Sequence, residues 1–313
     1  MKGSEIRQRL KPWILPIAMV AGLLFHEYIT YVSFLAPYLI FAMLFITFCK
    51  INPHEFKITR FSGYLLSVQI LGALALYLAL RPVSADIAQG VFICIFCPTA
   101  TAAPVITGML GGSVARLVAY SLASNITVAL LAPILFAWMG TDHIDILSAA
   151  ATISARVVPL IVAPLIAALA ARKITPRFHH EVASRQALSF YIWAVSLFIV
   201  VGRSVSFIMD EPPSKIPEII VIALCAGIAC GLQFIIGRRI GARWGDKISG
   251  AQGLGQKNTV LAIWMALTYL NPISSVGPAA YVAWQNTINS LQLYYKQKRD
   301  TGHIHKKSAA NET

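Results

Sequence analysis

Apolar residues run through this chain in blocks of roughly helix-spanning length, each closed by a short polar or basic segment. A helix needs about 20 apolar residues to cross a hydrocarbon core, and blocks of this size predict spans rather than core helices. Ten are predicted, near 13–25, 33–49, 62–81, 87–110, 114–139, 147–171, 186–208, 216–237, 249–269 and 275–295. The fourth and the ninth are interrupted, at Cys97-Pro98-Thr99-Ala100-Thr101-Ala102-Ala103-Pro104 and at Gly253-Leu254-Gly255-Gln256-Lys257-Asn258-Thr259. Pro98 and Pro104 each remove a backbone donor and turn their neighbours out of helical geometry. Gly253 and Gly255 loosen the second segment ahead of a polar run. Irregular backbone at membrane depth is tolerated only where it is buried in protein or lines a wet cavity. Two breaks at corresponding positions, about half the chain apart, are the pattern of secondary transporters that hold a substrate or coupling ion near the bilayer midplane.

Composition narrows the class. With 57% apolar and 12% charged residues among 313, a soluble domain with one core is excluded, and the fold class is an all-α polytopic membrane protein. The formal charge of +13 would point to nucleic acid in a soluble protein, but the basic residues sit between the apolar blocks. Ten spans put both termini on one side. With the N-terminus inside, 21 of the 26 basic residues fall on inward tails and loops, against Arg81 and Lys215 outside. By the positive-inside rule the N- and C-termini are cytoplasmic, in a cytoplasmic (inner) membrane. Five spans on each side of the Gly140–Asp145 loop make an inverted repeat, residues 12–140 and 147–296, with broken helices four and nine crossing. The transporter domain is expected over 12–296, followed by a polar tail, 297–313, without regular structure from about Asp300. The basic, then apolar N-terminal stretch lacks a small-x-small cleavage site and is read as the first span rather than a signal peptide.

Cys49, Cys94, Cys97, Cys225 and Cys230 all lie in apolar stretches and imply no disulfide framework. Cys94-x-x-Cys97 has redox spacing without a thioredoxin-like context, so packing is its expected role. His303 and His305 alone specify no metal site.

Charges within the spans are few: Arg156, Arg203 and Lys257, with no carboxylate deep in any span. Intramembrane cations pair with acids or face a water-filled path. With no acid at hand, the missing counter-charge is expected to be the substrate, an organic anion. Thr99, Thr101 and Thr107, with Gln256, Lys257, Asn258 and Thr259, are the candidate lining of the site, and Arg156 and Asn286 rank behind them. Arg203 reads as a snorkelling residue near Asp210. Lys257 has two readings, a functional cation or a structural ammonium bound to helix-end carbonyls. A lysine so placed is also a candidate for carrying a coupling proton.

At these residues the chain resembles the bile acid:sodium symporter family. The resemblance covers nearly the whole chain. It rests on Lys50-Ile51-Asn52-Pro53-His54-Glu55-Phe56 after the second span, Gln69 in the third, Cys97-Pro98 with Thr101-Ala102, Gly255 with Asn258, and Trp284, Asn286 and Ser290 in the tenth. It implies ten helices in a core and a panel domain, with the fourth and ninth unwinding and crossing. It also implies two sodium sites, which this chain only partly retains. The first site's Ser-Asn pair matches Ala103 and Pro104, and its ligands in helix five match Leu117 and Ser121. The glutamate shared by both sites matches Gly253, and the glutamine of a Gln-Asn pair matches Lys257, while Gln69 and Asn258 remain. A hard cation wants several oxygens, preferably a carboxylate. The expectation is therefore that Lys257 stands in for sodium and that coupling is to protons or absent.

Other readings stay open at this point. One is a sodium-dependent symporter with altered ion sites. Another is a related metalloid exporter, with Cys97 as ligand. An antiporter would carry an intramembrane aspartate, which is missing here. An intramembrane hydrolase would need a nucleophile beside a base, and no histidine lies in any predicted span. A sensor would need a signalling domain larger than the tails. The expected surroundings are an organic anion and the lipid bilayer, with no nucleic acid, no organic cofactor, no metal and no obligate protein partner.

Overall fold

Helices form where the apolar blocks predict them, and the computed structural model describes residues 14–49, 59–100, 102–140 and 146–311. Thr101, the 50–58 segment with the Lys50–Phe56 motif, and most of the mid-chain loop lie outside them. In chain order the helices are α1 (Ile14–Leu24), α2 (Ala36–Phe48), α3 (Arg60–Leu80), α4 (Ala85–Phe96), α5 (Ala103–Leu110), α6 (Val114–Gly140) and α7 (Ile146–Ile174). They continue with α8 (Pro176–Ser184), α9 (Gln186–Asp210), α10 (Ile216–Ala242), α11 (Lys247–Gly255), α12 (Thr259–Tyr269) and α13 (Val276–Asn311). One-turn pieces at His26–Ile29, Ser33–Leu35, Pro213–Lys215 and Pro272–Ser275 join them.

Five of the helices, α3, α6, α7, α9 and α10, are long and apolar enough to cross a membrane, and α2, α4 and α12 are shorter apolar helices. The outer surface has the same character. On α10, Ile216, Ile220, Leu224, Ile228 and Ile235 are all exposed along one helix. Such a stripe would be an aggregation hazard in water and is the natural surface in hydrocarbon. The chain is a membrane protein.

The helices pack in two groups. Helix α9 lies against α1 and α2, and α2 lies against α7. The other group surrounds the broken helices: α4 contacts α3, α10 and α13, while α11 contacts α10, α6 and α5. The α10–α11 pair is the closest. Gly237 and Gly241 on α10 face Gly250 on α11 so nearly that a Cβ on any of them would collide with the partner's backbone. In lipid, where apolar side chains gain nothing by leaving the solvent, this close backbone approach is what holds helices together. An alanine at Gly250 would push α11, and the break beyond it, out of place.

Polar groups gather at the two ends of this group. At one end Lys215 bridges Asp86 at 3.0 Å and Glu218 at 2.7 Å, Ser84 bonds Glu218, and Asn271 Nδ2 donates to Asp86 at 2.6 Å. At the other, Asp246 caps α11 by accepting the Ser249 amide at 3.0 Å, and its second oxygen accepts from the Ser113 amide.

Two expectations are corrected. The last helix does not stop near residue 295 but runs to Asn311, so the polar tail is helical well past Asp300. Its Lys, Gln and Ala residues are good helix formers, and no proline interrupts them. Arg203 donates to Ser33 Oγ at 2.9 Å rather than turning toward Asp210.

Candidate functional site

Helix α4 ends at Phe96 because Pro98 follows, and α5 resumes at Ala103 with Pro104 in its first turn, a position where the missing N–H costs nothing. Helix α11 ends at Gly255, and α12 starts at Thr259 with Asn258 as its N-cap, the Asn258 Oδ1 accepting from the Leu261 amide at 3.2 Å. The two unwound segments meet. Thr99 and Lys257 form an antiparallel bridge, in which the Asn258 amide donates to the Pro98 carbonyl at 2.8 Å and the Ala100 amide to the Gln256 carbonyl at 3.0 Å. Backbone freed from two helices is thus satisfied by pairing with itself, which removes the several kcal/mol that each unpaired amide would cost in a dry interior.

The remaining helix-end groups are closed by side chains. Gln69 of α3 is buried and fully used: its Nε2 donates to the Phe96 carbonyl at 2.7 Å and the Cys97 carbonyl at 3.2 Å, while its Oε1 accepts from Tyr120 at 2.6 Å and Ser124 at 2.9 Å. Lys257, only 1% exposed, sends its Nζ to the Ile95 carbonyl in the last turn of α4 at 2.7 Å. A cation is favoured there by the negative end of the α4 dipole. No carboxylate is paired with it among the described residues. Thr99 Oγ1 donates to the Gly253 carbonyl at 2.9 Å, Cys97 Sγ to the Asn258 carbonyl at 3.0 Å, and Tyr281 OH to the Gly255 carbonyl at 2.9 Å.

Against this network stand atoms with no partner among the described residues. Gln256 Oε1, Thr259 Oγ1, Asn258 Nδ2 and Thr107 Oγ1 are all buried and make no hydrogen bond. Buried polar groups are nearly always paired, so the three at the second break, Gln256, Asn258 and Thr259, are open to a ligand or water, whereas Thr107 lies by Gly112 and Ile248 at the far end of α11.

Of the residues expected at the site, Gln69, Thr99, Gln256, Lys257, Asn258 and Thr259 come together at the crossing. Thr107 lies buried on α5 and Ser121 on α6, where the Ser121 carbonyl accepts from Asn125. Thr101 lies outside the described residues. Arg156 is not brought to the crossing: it is exposed on α7, off the buried stripe of Val157, Leu160, Ile161 and Ala168. Asn286 is half-buried. Its neighbour Gln285 makes the contact instead, its Oε1 accepting from the Lys257 amide at 2.9 Å and its Nε2 reaching the Lys257 carbonyl at 3.4 Å. Gln233 was likewise missed, and its Nε2 donates to Tyr281 OH at 2.9 Å. The signal for these was in the chain: Gln285, Asn289 and Gln292 recur at i, i+4 and i+7, a polar stripe down one face of an apolar helix.

Several of the positions matched to sodium ligands carry no side-chain oxygen, Ala103, Pro104, Leu117 and Gly253 among them. Ala103 and Leu117 are buried with Ala100 in a small apolar cluster. A side chain built at Gly253 would meet the Tyr120 ring at 3.0 Å from its Cβ alone, which leaves no room for a carboxylate. Ser121 is the one of these five positions with a side-chain oxygen. Cys97 Sγ is spent on Asn258, and among the described residues no group of three His, Cys, Asp or Glu side chains could hold a metal.

No family model matches the chain. Over 230 residues, 73% of this chain and 69% of the relative, it is 24% identical to YocS of Bacillus subtilis (strain 168), described as an uncharacterized sodium-dependent transporter. The chain is thus similar, over more than two thirds of its length, to a bacterial protein described as a transporter.

Proposed function

We propose that the protein is a secondary transporter that moves an organic anion, bile-acid-like or a small carboxylate, across the cytoplasmic membrane by alternating access. The observation that carries the reading is the backbone-paired crossing of two broken helices with one buried lysine, Lys257, and polar atoms unpaired among the described residues. The kinship with a transporter supports it. In this reading the ten spans form two inverted five-helix repeats with both termini cytoplasmic. The group holding the crossing is the core domain, and α1, α2, α7 and α9 are the panel against which it rocks. Gln256, Thr259 and Asn258 contact the substrate, and Lys257 supplies fixed positive charge to the region without touching a carboxylate of the protein.

Lys257 takes the place of a sodium ion. Its Nζ sits on a helix-end carbonyl, and of the matched sodium positions Ala103 and Leu117 are apolar and Gly253 is crowded by the Tyr120 ring. Transport is then driven by a proton gradient or by exchange. A sodium-dependent symporter with altered ion sites is the second reading, favoured by what YocS is called. The test is uptake by the purified protein in liposomes of labelled carboxylates, among them a bile acid and a short keto acid. Saturable uptake of at least one, absent from empty liposomes and abolished by Lys257→Gln, is expected. No uptake or exchange of any carboxylate overturns the reading.

A further inference from the structure

The Asp246 end of the helix group holds a second feature, separate from the crossing. The ends of α5 and α10, the start of α11 and the middle of α13 line an open cleft of about 640 Å³. Three cations line it, Arg238 from α10, Lys247 from α11 and Lys296 from α13, against one carboxylate, Asp246. That carboxylate is 8% exposed and turned to backbone, one oxygen on the Ser249 amide and the other on the Ser113 amide. Among the described lining residues the basic side chains thus outnumber the acidic one, which favours an anion in the cleft. The nine residues of α11 separate the cleft from the crossing, about 13 Å at 1.5 Å per residue.

The inner wall adds polar groups. Gln292 lines the cleft and accepts from Gln252 Nε2 at 3.1 Å, and the same nitrogen donates to Asn289 Oδ1 at 3.0 Å. Asn289, behind Gln292 and outside the lining itself, is 3% exposed, and its Nδ2 and the adjoining Gln252 Oε1 have no partner among the described residues. Hydrogen-bonding capacity is therefore left over behind the cleft, beside the basic side chains that would draw an anion in.

We propose that this cleft binds a phosphate group, carried by an anionic lipid or free in solution. A guanidinium offers a phosphate two parallel hydrogen bonds, and the two ammoniums add charge without fixed geometry. Basic pockets between spans at a membrane surface are suited to phosphorylated headgroups, and the exposed Tyr295 at the rim can pack on an acyl or glycerol moiety. The ligand contacts Arg238, Lys296 and Lys247, and it ties α10 to α13 across the start of α11.

The experiment is binding, independent of transport. Protein in a neutral detergent is titrated with phosphatidylglycerol, with phosphatidylcholine, and with inorganic phosphate against chloride at equal ionic strength. Thermal midpoint and native mass spectrometry are the readouts. Phosphatidylglycerol or phosphate raises the midpoint and stays bound, whereas phosphatidylcholine and chloride do not. The Arg238→Gln/Lys296→Gln variant weakens binding about tenfold or more, and Lys173→Gln, on exposed α7, leaves it intact. Stabilisation by phosphatidylglycerol alone identifies a lipid, and an equal response to inorganic phosphate identifies a soluble ligand. Should the double variant fail to fold, Lys247→Gln takes its place. Absence of any response to both anions, or a response that the cleft variants keep in full, overturns the proposal.

Discussion

The first break and the second are joined backbone to backbone, yet they are made of different chemistry. The first is a stretch of small and weakly polar residues, and much of what its described residues offer is used: the Ile95, Phe96 and Cys97 carbonyls accept from Lys257 and Gln69, and Thr99 and Cys97 donate across to the second segment. Its outgoing helix α5 has no side-chain cap. The second is a short run of long polar side chains, Gln256, Lys257 and Asn258, followed by Thr259. It caps its own outgoing helix through Asn258 and still leaves Gln256 Oε1, Asn258 Nδ2 and Thr259 Oγ1 unpaired. One side of the crossing is thus framework, and the other holds surplus hydrogen-bonding capacity. A site that must both keep its shape and exchange a ligand divides the two tasks in this way.

The comparison can be broken at its supports. Gln69→Leu removes two caps from the first break and strands the hydroxyls of Tyr120 and Ser124, a loss of about 3–5 kcal/mol. Gln285→Leu removes the bonds to the Lys257 backbone on the second break and costs less, about 1–3 kcal/mol. Thermal midpoints in detergent should fall in that order, and equal falls would mean that the first break is no more a framework than the second. A finer separation comes from Thr259→Val. A buried hydroxyl without a partner gives no stability, so the midpoint is unchanged or rises, while KM for substrate uptake increases. A clear loss of stability would show that Thr259 is paired.

Much of this was legible in the chain because prolines and glycines punctuate helices strongly. Pro98, Pro104, Gly253 and Gly255 located both breaks, and the polar run at 256–259 named most of the residues now found at the crossing. What the chain did not disclose depends on rotation and reach. Residues one apart on a helix differ by about 100° in direction, so Asn286 was chosen where Gln285 makes the contact with Lys257. The bond from Lys257 to Ile95 spans more than half the chain and follows only once the two segments are paired. The helical tail escaped a reading that equated polar with irregular, although a polar sequence of good helix formers continues a helix already nucleated.

The central claim is that Lys257 occupies the role a sodium ion plays in the family this chain resembles. Uptake into proteoliposomes with sodium replaced throughout by choline tests it most directly. The account predicts a rate unchanged by the replacement, with an imposed pH gradient or internal anion driving accumulation, and loss of that uptake in Lys257→Ala. Sodium-gradient-driven uptake that survives Lys257→Ala unchanged would contradict it.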